Sequence, residues 1–145
     1  MNTQTYVENA VVPSAPSNAI TTIVPAVGRV MISTLFLLAG LSKLAAPAMT
    51  IAYIQSVGLP LPSIAFGVAA FTEIVGGITL LLGYRTRIVA TVMFVFTLAT
   101  AAFFHNHFAD QNQFIHFFKN IAIAGGLLHV IAFGGGRVSL DGRKS

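Results

Sequence analysis

The chain has 145 residues, 55% of them hydrophobic and only 8% charged, with a mean hydropathy of +0.82. Soluble domains carry about a quarter charged residues to face water, so this composition excludes a water-soluble globule and makes lipid the solvent for most of the surface. Cysteine is absent, which removes disulfides, thiolate chemistry and Cys-ligated metal or Fe–S sites, and the net charge of +4 is too scattered for a nucleic-acid surface.

Residues 1–22 are polar and mixed, with Pro13, Pro16 and a single charge, Glu8. A secretory signal opens with basic residues ahead of a short apolar core; none stand here, and the segment reads as a retained, disordered tail. Four apolar stretches follow, 23–46, 62–83, 86–108 and 116–133, each near the ~20 residues that a helix needs to cross the hydrocarbon. Pro47 follows the first, GLPLP (58–62) precedes the second, and 83–87 turn into the third. ADQNQ (109–113) separates the last two and GGG (134–136) ends the fourth; these are ordinary helix start and stop signals. Open sheets would leave edge amides in lipid and four strands cannot close a barrel. The predicted fold is therefore all-α, an integral membrane four-helix bundle over 23–145 with a short cytoplasmic C-terminal tail.

Four crossings put the N-terminus, the connection between the second and third helices and the C-terminus on one side. That side holds Arg29, Arg85, Arg87, Arg137, Arg143 and Lys144; the other holds Lys43 and Lys119. Positive residues favour the cytoplasm, so the predicted orientation is N-in/C-in.

The polar residues inside this apolar chain are then confined to particular depths. FFHNHFADQNQFIHFFKN (103–120) places His105 at the outer end of the third helix and Lys119 and Asn120 at that of the fourth, while Lys43 closes the outer end of the first. Glu73 falls near the middle of the second. A charge at the bilayer centre costs at least ~2.5 kcal/mol, so it faces the bundle interior and takes a partner. Helical phase gives Glu73 the neighbours Ala69, Ala70, Gly76 and Gly77, and Lys43 the neighbours Ala39 and Gly40. His105 has Ala101 and Ala102, and Lys119 has Ala122 and Gly126. Small residues mark faces of close helix approach. All four ionisable groups are accordingly predicted to face inward, with Glu73 paired to Lys43 or Lys119. The phenylalanines between them seal the cluster against lipid or stack on what enters it. His107 and His116 are predicted to face the loop and His129 the core. His-x-His at 105 and 107, with Asp110 and His116 nearby, could bind a metal, but this spacing is a weak signal and no metal is assigned.

The same residues carry a resemblance. AGLSKL (39–44), the central glutamate of TEIVGGITLLLG (72–83), TR (86–87), the histidine of FFH (103–105), KNIAIAGGLL (119–128) and SLDG (139–142) resemble the DoxX family of small bacterial membrane proteins. The resemblance implies a four-helix fold in the inner (plasma) membrane and an association with redox chemistry. Some relatives are subunits of a thiosulfate:quinone oxidoreductase, and others belong to complexes handling oxidative stress or sulfur compounds.

Three functions stand at this level. In the first, the chain is a subunit of a quinone-linked oxidoreductase complex, with quinone as a diffusible substrate. Glu73 and His105 then serve as proton acceptors, while Lys43, Lys119 and Asn120 hold a quinone headgroup or small anion. No nucleotide-binding fingerprint is present, so electrons would come from a protein partner or a diffusing substrate. The second is a small-solute or proton transporter, which with four crossings and no repeat would need a homo-oligomer. The third is a non-catalytic anchor or assembly factor for soluble partners.

Overall fold

The computed structural model describes residues 18–143, which form five helices: α1 (Asn18–Ala45), α2 (Pro47–Ser56), α3 (Pro62–Leu82), α4 (Thr86–Phe104) and α5 (Gln111–Phe133). All but α2 are long and apolar enough to cross a membrane. The chain is an all-α membrane bundle. The tail predicted over 1–22 lies, up to residue 17, outside the described residues, and 18–22 belong to α1.

Two boundaries around this connection moved. α4 stops at Phe104 rather than 108, and α5 starts at Gln111 rather than 116. Asp110 sits at the N-cap of α5, where its side chain accepts from Asn112 N at 2.7 Å and Gln113 N at 3.3 Å. Such a cap satisfies amides that the first helical turn otherwise leaves open. ADQNQ thus begins a helix as well as ending a loop.

α2 was not anticipated. Ten residues span only ~15 Å, too short to cross. Pro47 opens it at a position that needs no N–H. It packs on α3, buries Ile54, and its Tyr53 hydroxyl donates to the Phe104 carbonyl at 3.2 Å. One of the open carbonyls at the end of α4 is satisfied this way.

α1 lies along α3 and α4 along α5, with smaller contacts joining the two pairs. Small residues set how closely they approach. A Cβ on Gly77 would stand 2.9 Å from Leu37 Cγ, and one on Gly40 2.8 Å from Ile74 Cδ1 and 3.1 Å from the Glu73 Cβ. The apolar core of Phe36, Leu80, Ala90, Met93 and Leu127 gathers in the half of the bundle nearer the α3–α4 turn. Outward-facing side chains such as Met31, Val68 and Phe71 are exposed, as lipid contact requires.

The end of the bundle beside that turn is tied together by the C-terminal segment. Gly83 closes α3 at φ +69°, with Gly83 N donating to Leu80 O and Tyr84 N to Thr79 O, the paired bonds of a Schellman motif. Arg85 then begins α4 with no cap from its own side chain. Asp141 supplies the cap from 55 residues away: its carboxylate accepts from Arg85 N at 2.9 Å, and from Thr86 N and Thr86 Oγ1 at 2.7 Å each. Arg29 of α1 is buried beneath and donates to the carbonyls of Gly135 and, at 2.6 Å, Val138. A side chain on Gly83 would collide with Ser139, since its Cβ would stand 2.4 Å from that of the serine.

Candidate functional site

At the opposite end of the bundle and in its middle, two polar groups form, each between one pair of helices. The first joins α1 to α3. Lys43 Nζ donates to Glu73 Oε1 at 2.7 Å, with Glu73 only 6% exposed and Lys43 29%. The partner left open by sequence is therefore Lys43. Gly40, one turn before the lysine, lets the helices close on this pair. The second glutamate oxygen, Oε2, is buried and has no hydrogen-bond partner among the described residues.

The second group joins α4 to α5. His105 stands at the C-cap of α4 and His116 in the second turn of α5. Their rings stack with centroids 5.1 Å apart and planes 28° from parallel. Gln113 Oε1 lies 2.8 Å from His105 Nδ1, and Lys119 Nζ lies 2.8 Å from His116 Nδ1. An amide oxygen only accepts, so His105 Nδ1 carries the hydrogen and its Nε2 is left as an acceptor. An ammonium only donates, so His116 Nδ1 accepts and its Nε2 carries the hydrogen. The stacked rings thus offer one acceptor and one donor with no hydrogen-bond partner among the described residues. Among the described residues no carboxylate pairs with this lysine, and Asp110 instead caps α5.

Sequence phase had all four ionisable groups facing one interior. Among the described residues, no hydrogen bond or ion pair joins Lys43–Glu73 to His105–His116–Lys119. Lys119 is exposed rather than interior. Its helix does meet α1 seven residues on, where a Cβ on Gly126 would stand 3.0 Å from Ile32 Cδ1. Beyond that point α1 is drawn to α3 by the Gly40 and Lys43 contacts, leaving Lys119 open.

Comparison with known proteins agrees with this architecture. A family model described as DoxX matches residues 24–106, more than half of the chain. The chain belongs to the DoxX family. Inner membrane protein YqjF of Escherichia coli is 35% identical over 115 residues, covering 79% of this chain and 87% of that protein. Inner membrane protein YphA of the same organism is 32% identical over 123 residues, covering 81% and 87%. No solved structure matches. With its four apolar helices, this DoxX protein is a multi-pass protein of the inner membrane.

The DoxX match takes in Lys43, Glu73 and His105 and stops before α5, so Lys119 and Asn120 lie outside it. Asn120 is half-buried. Two histidines differ from expectation. His116 is helical and stacked rather than loop-facing, because Asp110 starts α5 a full turn early. His129 is exposed rather than in the core, its Nδ1 held by the Gly125 carbonyl one turn back at 3.1 Å. His107 lies exposed in the connection. Phe108, Phe114, Phe117 and Phe118 pack edge-to-face or tilted on one another, at centroid separations of 4.7–6.4 Å. Tyr53 of α2 also reaches the end of α4, and it is the neighbour of this site that sequence reasoning missed. The signal available was Pro47 at an N1 position, which starts helices as readily as it ends them.

Proposed function

We propose that this protein is the membrane subunit of a quinone-linked oxidoreductase complex, acting on sulfur compounds or in oxidative-stress defence, and that it holds the quinone headgroup at the histidine end. One observation carries the reading: the stacked His105 and His116 present a free acceptor and a free donor nitrogen side by side. A quinone carbonyl takes the hydrogen of His116 Nε2, and a quinol hydroxyl gives its hydrogen to His105 Nε2. Lys119 supplies positive charge beside the oxygen as it becomes anionic. Quinol oxidation releases two protons and two electrons. His105 receives the first proton, the second passes to water at this exposed end of the bundle, and the electrons leave to a redox centre of a partner subunit. A dianion such as thiosulfate fits less well, since it needs donors alone and His105 Nε2 is an acceptor.

A short-chain quinone titrated against the detergent-solubilised protein tests this. His105→Phe and Lys119→Met are each expected to weaken binding by about 10-fold or more, the loss of a hydrogen bond involving a charged or directional group. Unchanged affinity in both, with helicity intact, sinks the reading, as does tighter binding of thiosulfate than of quinone.

In the same proposal both termini are cytoplasmic and the histidine end faces the periplasm. Among the described residues, Lys43 and Lys119 are the basic residues at or near that end, while Arg85, Arg87, Arg137 and Arg143 are exposed at the other. A phosphatase reporter fused after Ser145 should be inactive and a cytoplasm-dependent fluorescent reporter bright. The reverse pattern overturns the orientation.

A further inference from the structure

The other end of the bundle carries a second polar region that the redox reading does not use. A groove of about 820 Å³ opens between the start of α4 and the end of α5. Arg85, Arg87 and Arg137 line it, and all three are exposed. Among the described residues their guanidinium groups have no hydrogen bond or ion pair. Asp141 also lines the groove, but its carboxylate is occupied by Arg85 N, Thr86 N and the Thr86 hydroxyl. The groove is cationic even with that charge counted.

Its position and its apolar wall decide what kind of anion it suits. Thr86 is the first residue of α4 and Phe133 the last of α5, so the arginines stand at the level where the spans end and headgroups begin. Ile88 and Phe133 line the same groove and are 59% and 77% exposed. They lie on the spans themselves, where hydrocarbon runs past them. Gly135 keeps the loop close to α4, since a Cβ there would meet Thr86 Oγ1 at 2.6 Å.

We infer that this groove binds the phosphodiester headgroup of an anionic phospholipid, with Arg87 and Arg137 on the phosphate and the acyl chains along Ile88 and Phe133. Guanidinium groups match phosphate oxygens in pairs, and basic pockets between membrane helices are a recognised setting for lipid headgroups. A soluble phosphate would use the arginines alone and leave the apolar wall without a role.

Native mass spectrometry of the full chain in detergent, titrated with dioleoyl phosphatidylglycerol, dioleoyl phosphatidylcholine and inorganic phosphate, distinguishes the sources. Phosphatidylglycerol should bind about 10-fold tighter than phosphatidylcholine, and inorganic phosphate weakly. Arg87→Gln and Arg137→Gln should each reduce phosphatidylglycerol binding several-fold, and Arg143→Gln, an exposed arginine that does not line the groove, should leave it within about 2-fold. Should Arg87→Gln lose helicity, Arg137→Gln reads the same site from the loop. Equal binding of the two lipids overturns the inference, as does an Arg143→Gln effect as large as the other two. Inorganic phosphate binding as tightly as phosphatidylglycerol makes the groove a free-anion site and overturns it as well.

Discussion

Replacing Lys43 with methionine is expected to cost about 3–5 kcal/mol of stability, the usual penalty for leaving one member of a buried ion pair alone. Glu73 is 6% exposed and, among the described residues, takes its only hydrogen bond from Lys43, while its Oε2 has no partner there. Without the lysine, an acidic side chain remains in a low-dielectric interior with nothing to donate to it. The two halves of the pair should not be equivalent. Lys43 is 29% exposed near a helix end, so in Glu73→Gln its ammonium can reach headgroups, and the loss should be smaller. The double variant Lys43→Met/Glu73→Gln should recover much of the stability lost in Lys43→Met, because a neutral amide is far cheaper to bury than a carboxylate. Lys119→Met supplies the comparison: it removes an exposed lysine and should shift stability by under about 1 kcal/mol. Thermal unfolding in one detergent reads all four. If Lys43→Met and Lys119→Met melt together, the pair does not hold α1 against α3.

Asp141→Ala is expected to cost about 2 kcal/mol, through the start of α4 rather than through any contact within the membrane. One carboxylate accepts three hydrogen bonds there, from Arg85 N, Thr86 N and Thr86 Oγ1, and Thr86 is buried. Removing an ordinary N-cap costs about 1 kcal/mol, and a buried donor left unsatisfied adds about 1–3 kcal/mol. A negative charge at a helix N-terminus is itself favourable. Asp141→Asn keeps one accepting oxygen and should fall between alanine and wild type. The same substitution should release the C-terminal segment, whose backbone is held by Leu140 N to Leu82 O and Asp141 N to Gly83 O. Trypsin should then cut after Arg137 faster than in wild type. An Asp141→Ala protein with unchanged melting and unchanged cleavage would show that the arginine bridge from Arg29 and the two backbone bonds hold this end without the cap.

The C-terminal docking shows where reading the sequence stopped. TR (86–87) and SLDG (139–142) were recognised as separate motifs, but nothing in their spacing says that Asp141 caps Thr86, because the cap spans 55 residues and a whole helix. Arg29 was counted with the positive charges of one side, yet it is buried and serves two loop carbonyls. Charge counting treats every arginine as a surface charge. Only packing reveals which one has been taken inside.

The number of crossings, their approximate limits, the all-α class and the depth of Glu73 follow from composition and from runs of apolar residues, because lipid imposes its demand on each helix separately. A span must be long and apolar whatever its neighbours do. Pairing is a different kind of property. Helical phase puts Lys43, Glu73, His105 and Lys119 each on a small-residue face, but a face does not name the helix that will cover it. Close packing at Gly40 and Gly77 assigns α1 to α3, and the capped start of α5 stacks His116 on His105. One supposed cluster therefore becomes a buried ion pair and an open histidine pair. That division depends on which helices can approach, and approach is decided by the fit of side chains across interfaces that no single segment contains.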